Sequence, residues 1–231
     1  MSFISDNMNI TDTKETLRKV AISEGARLVG VCRVEDLRDS FHFEIKQDAK
    51  RLNTAISIGV PLAAGVMDTL IDRPNMIYKA HYQQVNHTLN DIAFRIASEI
   101  NQLGSDAIPI PASQILKWEP MRAHLSHREI AYQAGLGWRG RNNLLVTRKF
   151  GSQIRLVTVL TALELEVDLP TGSDCNECFA CVSACPARAI AEDKHDFDLE
   201  SCAAKVREFA HLNHIGQQIC GLCIKACPGD R

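Results

Sequence analysis

The chain lacks any long apolar run. No stretch approaches the roughly 18 consecutive apolar residues that a membrane-crossing helix needs, so no helical membrane span is expected. The opening MSFISDNMNITDTKE is polar and acidic, without the apolar core of a signal peptide, and no twin-arginine leader stands in it. These absences predict a cytoplasmic protein. The chain also lacks a basic excess: its net charge is −2, and a phosphate-binding surface needs a local cationic patch. Arg139 and Arg141 lie close together, but two arginines do not make one, so nucleic acid is not an expected partner. No internal repeat or low-complexity segment is visible. What remains is 231 residues, 45% apolar and 23% charged, enough for one sizeable core and a small appended module.

Cysteine is the residue in abundance, with nine in the chain. Residues 175 to 185 read CNECFACVSAC and Pro186 follows. Cys175, Cys178, Cys181 and Cys185 thus form C-x2-C-x2-C-x3-C-P, the ferredoxin-type spacing for 4Fe–4S ligation, in which the fourth cysteine serves the other of two clusters. Three thiolates two residues apart can wrap one cubane from a tight loop, and Pro186 is expected to start a helix that carries Cys185 away. A second set comprises Cys202, then Cys220, Cys223 and Cys227 before Pro228. Two 4Fe–4S clusters account for all eight, with Cys175, Cys178, Cys181 and Cys227 on one, and Cys185, Cys202, Cys220 and Cys223 on the other. Zinc ribbons also use C-x2-C pairs, but not a third cysteine at the next step followed by x3-C-P. Disulfides require an oxidising compartment, for which nothing here argues. The ninth cysteine, Cys32, reads as a buried thiol acting as a small apolar residue.

Taken in order, residues 12 to 24 predict a helix, with Asp12 and Glu15 as a capping box and Gly25 as its stop. Strands are expected at Arg27–Arg33, Thr54–Leu62 and Asp106–Ile110. The best helix lies between Pro74 and Gly104, where Val85, Leu89, Ile92, Ala93, Ile96, Ile100 and Leu103 recur at three- and four-residue steps. Tyr78, His81, Tyr82 and His87 near its start read as packing or surface more readily than as a ligand pocket. A short helix is expected at Ser126–Ala134. Then comes AGLGWRGRNNLLVT, with Gly135, Gly137 and Gly140 permitting close backbone approach. These glycines precede a strand, whereas the dinucleotide fingerprint needs a strand before them, so nucleotide binding is rejected. Asn143–Thr147 and Ile154–Thr161 predict a hairpin around Gly151. The Pro170-Thr171-Gly172 hinge sets a boundary near 170. Residues 1–170 are read as an α/β cofactor and substrate domain (an α+β sandwich, nitroreductase-like), and residues 171–231 as a ferredoxin-like domain.

The succession of AGLGWRGRNNLLVT, GSQIRLVTVLT, CNECFACVSACP, Cys202 and CGLCIKACP resembles epoxyqueuosine reductases and, more distantly, reductive dehalogenases. The resemblance runs from about Ser126 to the end and is closest to short forms without the C-terminal helical-repeat domain that grips tRNA. It implies a cytoplasmic oxidoreductase that relays single electrons through two 4Fe–4S clusters to a base-off cobalamin. The corrin edge would lie near one cluster, and Gly135, Leu136, Gly137, Trp138, Gly140 and Asn142 would contact the corrinoid. A ferredoxin or flavodoxin would donate the electrons, and a small molecule would be the substrate. The alternative is an electron-transfer protein that serves a corrinoid or other partner and has no substrate chemistry of its own.

One departure bears on the chemistry. Epoxyqueuosine reductases carry a general-acid aspartate before the AGLG run, and counting back places Met121 there. In EPMRAHLSHREIA the available proton donors are Glu119, His124 and His127. His127 is preferred because histidine titrates near neutrality. His124 and His127 at H-x2-H spacing lack a third ligand for a metal.

Overall fold

The computed structural model describes residues 9–47, 50–118, 121–212 and 214–230. The elements run α1 (Ile10–Ser23), β1 (Leu28–Arg33), a 3-10 turn (Glu35–Ser40), α2 (Phe43–Lys46), β2 (Thr54–Pro61), α3 (Ala64–Asp68) and α4 (Met76–Gln102). They continue with β3 (Ala107–Ile110), β4 (Lys117–Trp118), β5 (Met121–Arg122), α5 (His127–Gln133), β6 (Trp138–Arg139), β7 (Leu145–Val146) and β8 (Ile154–Thr161). Three helices close the chain: α6 (Ala180–Ser183), α7 (Leu199–Ala210) and α8 (Leu222–Lys225). The described residues fall into two compact units. One draws on Met1–Val60, Asn86–Leu136 and Arg155–Thr171, the other on Pro61–Val85, Gly137–Ile154 and Gly172–Arg231.

A mixed α/β fold is the result, centred on a four-stranded sheet of order β1-β2-β8-β3. The β1–β2 and β3–β8 pairs are antiparallel, with Cys32 opposite Ala55 and Pro109 opposite Val159. Every residue of β2 from Thr54 to Val60 is buried, as a central strand covered on both faces requires. On β1, Gly30 and Cys32 share a face and meet α5. A Cβ on Gly30 would collide with the Ala134 carbonyl and the Leu136 side chain. Cys32, Leu52, Ala55, Ile110, Leu125, Ile130 and Leu160 form the core there, with Leu136 packed against it.

Three expectations need correction. Asp12 does not cap α1: the cap is Asn9, whose side chain accepts the Thr11 N–H, and Asp12 stands in the first turn. The hairpin around Gly151 does not form. β7 pairs with β6, only the isolated bridge Thr147–Gly151 closes the turn, and β8 joins the main sheet. The apolar alternation of β8 fits any sheet face, so pattern alone could not choose its partner. No helix starts at Pro186: α6 precedes Cys185 and carries Cys181, consistent with the bias of a residue before proline away from helix.

Candidate metal centre and its surroundings

The eight cysteines of the two sets all lie in the second unit, and all nine cysteines are free thiols. Local geometry follows from the spacing. The Cys178 N–H bonds the Cys175 carbonyl at 3.0 Å, a tight turn made possible by Asn176 at φ +45°. α6 then lifts Cys181 into a buried position. Cys202 sits in the first turn of α7, whose cap Asp198 accepts the Ser201 N–H at 3.0 Å. Gly221, at φ +87°, turns the chain into α8 between Cys220 and Cys223. A Cβ there would collide with the Leu70 side chain and the Tyr78 ring.

Mutual influence sorts the thiols into two neighbourhoods. Burial, followed by the nearness of Cys227, Cys175 and Cys178, pushes the Cys181 thiol up to about 11. Cys227 is likewise raised, first by burial and then by Cys175 and Cys178. Burial pushes Cys220 up to about 11, with Cys202 and Cys185 adding to it. Cys223 is raised by burial, then by Cys220, Cys202 and Cys185, and last by Cys181. Burial also raises Cys202, and Cys185 is the one thiol acting on it. Among the described residues, no three His, Cys, Asp or Glu side chains converge as a single metal ion would require. A cubane spreads its ligands over separate corners and does not need that convergence.

A cavity of about 600 Å³ opens beside Cys175, Cys178 and Cys227, with Trp138 and Gly151 in its wall. The Trp138 indole N–H donates to Cys175 Sγ at 3.3 Å. Ser152 donates its backbone N–H to the Cys227 carbonyl at 3.1 Å. Arg141 donates from Nε to the Glu192 carbonyl and from an Nη to the Asn176 carbonyl, both at 2.7 Å. Its guanidinium lies 4.4 Å from the centre of the Phe179 ring, so it clamps the loop between Cys175 and Cys178. Lys225 ties α8 to the carbonyl of Leu70 at 2.5 Å. Neither Arg141 nor Ser152 was legible in the sequence, since the partners of both are distant along the chain.

The six residues read as corrinoid contacts have other neighbours. Gly135, at φ +70°, terminates α5: its N–H bonds the Tyr132 carbonyl and the Leu136 N–H the Ala131 carbonyl, both at 3.0 Å. Leu136 packs on the core. A Cβ on Gly137 would strike the Val146 carbonyl, and one on Gly140 the Val146 side chain. Asn142 is buried, donates to Ser152 Oγ at 3.0 Å and accepts the Leu144 N–H at 3.3 Å. The glycines are thus required by close backbone packing within the protein, and Trp138 by a cysteine.

The candidate proton donors fare differently. Glu119 lies outside the described residues. His127 Nε2 is 3.1 Å from the Pro111 carbonyl, which can only accept, so Nδ1 accepts from the Thr158 hydroxyl at 2.8 Å. Burial drives its pKa down to about 4. The expectation that His127 titrates near neutrality is therefore wrong: desolvation keeps the ring neutral. His124 is held differently, with Nε2 3.1 Å from Glu44 Oε2 and a buried Nδ1 without a hydrogen-bond partner. Tyr78 and Tyr82 are buried packing residues, and His81 Nε2 accepts the Ala63 N–H at 2.9 Å.

Comparison with known proteins gives a consistent result. No protein-family model matches the chain. A tetrachloroethene reductive dehalogenase of Desulfitobacterium hafniense is 34% identical over 154 residues, covering 64% of this chain and 26% of that protein. An epoxyqueuosine reductase of Aliivibrio fischeri is 30% identical over 190 residues, 74% of this chain and 47% of the relative. The chain therefore spans about half the length of that reductase and a quarter of that dehalogenase. Among solved structures, the catabolic reductive dehalogenase NpRdhA overlays 95% of this chain and 32% of its own at a TM-score of 0.75 and 19% identity. Epoxyqueuosine reductase from Streptococcus thermophilus overlays 93% of this chain and 65% of its own at 0.63 and 21%. No membrane-spanning helix occurs among the described residues. By sequence and by its mixed α/β fold, the chain is a relative of the epoxyqueuosine reductases and the reductive dehalogenases.

Proposed function

We propose that the chain is an iron–sulfur oxidoreductase whose eight clustered cysteines hold two 4Fe–4S clusters and pass single electrons onward for a reduction. One observation carries this reading. Beyond burial, Cys181 and Cys227 are raised by neighbours within Cys175, Cys178, Cys181 and Cys227. Cys202, Cys220 and Cys223 are raised chiefly by neighbours within Cys185, Cys202, Cys220 and Cys223, with Cys181 acting last on Cys223. That is the crossed ligation expected of the C-x2-C-x2-C-x3-C-P run. The donor set fits: all thiols are free, and each set draws on both cysteine runs. The groups would supply low-potential one-electron transfer, while the chain supplies position and electrostatics. Arg141 fixes the first loop and Lys225 anchors α8. Because a cysteine binds iron as the thiolate, cluster assembly would release protons.

A corrinoid as electron acceptor rests on likeness, one overlaid reductive dehalogenase being described as carrying out B12-dependent dehalogenation. The residues read for it here also serve the protein's own packing, and no step is routed through it. A ferredoxin or flavodoxin is the proposed donor and a small molecule the proposed substrate. His124, oriented by Glu44, is the proposed proton source in place of His127.

Anaerobic reconstitution tests the reading. It predicts about eight iron and eight sulfide per chain, and far fewer would sink it. Added cobalamin should shift its visible bands on binding. A fully loaded chain that binds no cobalamin at micromolar concentration is an electron carrier instead.

A further inference from the structure

We infer that Trp138 raises the reduction potential of the cluster held by Cys175, by donating a hydrogen bond to that cysteine's sulfur. The inference rests on the two-cluster reading and adds to it a role for the Gly137–Ile154 segment.

One side chain of that segment bonds a sulfur of the first set. Trp138 offers an indole N–H, which can only donate, to Cys175 Sγ at 3.3 Å. Ser152 bonds the Cys227 backbone instead: its N–H donates to the Cys227 carbonyl at 3.1 Å, and its hydroxyl oxygen accepts from Asn142 Nδ2 at 3.0 Å.

In the second set, Cys185 Sγ accepts the Ala189 backbone N–H at 3.4 Å. A main-chain donor of this kind follows from any loop that wraps a cluster, whereas the indole is a side chain that substitution can remove. A donor to a ligand sulfur stabilises the reduced, more negative cluster and so raises its potential. Second-layer hydrogen bonds act in this way on metal sites generally.

The test is a redox titration of the full chain, reconstituted anaerobically and followed by electron paramagnetic resonance. Trp138→Phe keeps an aromatic ring and removes the N–H. The variant is expected to bind wild-type amounts of iron and to move one of the two potentials to a more negative value. Normal iron content with both potentials unmoved overturns the inference alone. So does a shift of both potentials together. A wild-type chain that takes up no clusters overturns the two-cluster reading, and this inference with it. Should Trp138→Phe lose iron through misfolding, the full chain labelled with a fluorinated tryptophan, whose indole N–H is a stronger donor, decides the matter: one potential should rise, and no movement overturns the inference.

Discussion

His127 Nδ1 lies 2.8 Å from Thr158 Oγ1, so a ring at the start of α5 is bonded to the middle of β8. That contact, with the Pro111 carbonyl on the other nitrogen, holds the imidazole in one neutral tautomer. Its pKa falls from 6.5 to about 4 on folding, chiefly because burial penalises the cation. A base whose folded pKa is depressed contributes stability that is complete above the unfolded pKa and is lost as pH falls towards the folded one. The chain should therefore lose about 2 kcal/mol between pH 7 and pH 4 through this residue, part of the full shift being screened by solvent. Urea denaturation of wild type and His127→Gln across that range checks it, since the variant should show the shallower pH dependence. An identical slope in both would remove the claim.

Asp168 bonds Val31 twice. Its Oδ2 accepts the Val31 N–H at 2.9 Å, and its own N–H donates to the Val31 carbonyl at 2.8 Å. Lys14 Nζ meets the other carboxylate oxygen at 2.7 Å. Asp168→Ala should lower stability by about 1–3 kcal/mol, leaving an edge N–H of β1 without its acceptor. Chemical denaturation reads this directly, and a loss below about 0.5 kcal/mol would place the carboxylate among ordinary surface pairs.

Two glycines should respond in opposite ways to the same change. Gly30→Ala puts a methyl against the Ala134 backbone, which has little freedom to move, and should destabilise by about 1–3 kcal/mol or more. Gly65 lies in α3 with open space around its missing Cβ. Gly65→Ala should be neutral or stabilising by up to about 1 kcal/mol. Thermal melts of both variants make the comparison.

The two thiol neighbourhoods should empty independently. Cys181→Ala and Cys223→Ala are each expected to retain about half the iron of the wild type, and the pair together almost none. Iron and sulfide assays on anaerobically reconstituted protein measure this. Complete loss in either single variant would mean that the eight thiols act as one unit.

The long helix α4 was legible because its apolar residues repeat over many turns, and Gly104 at φ +80° ends it where the sequence places a glycine. Strands β1, β2 and β3 were legible for a similar reason, being short apolar runs bounded by turns. The pairing of β8 was not. Nothing along its eight residues distinguishes a hairpin partner from a sheet neighbour far away in sequence. The neutrality of His127 was hidden too, because it depends on Pro111 and Thr158, distant residues that desolvate and bond the ring. The glycines of residues 135–140 were recognisable as positions that exclude side chains, yet what excludes them is Val146 and the Leu169 carbonyl.

The order of the cysteines alone determined how many thiols gather and which spacing each loop must span, because ligand geometry is written into short intervals of chain. Folding alone decided what surrounds those thiols: an indole, a hydroxyl ordered by an amide, a guanidinium clamp. Each of these depends on side chains from remote segments meeting at hydrogen-bond distance, and such a meeting leaves no periodic trace in the sequence.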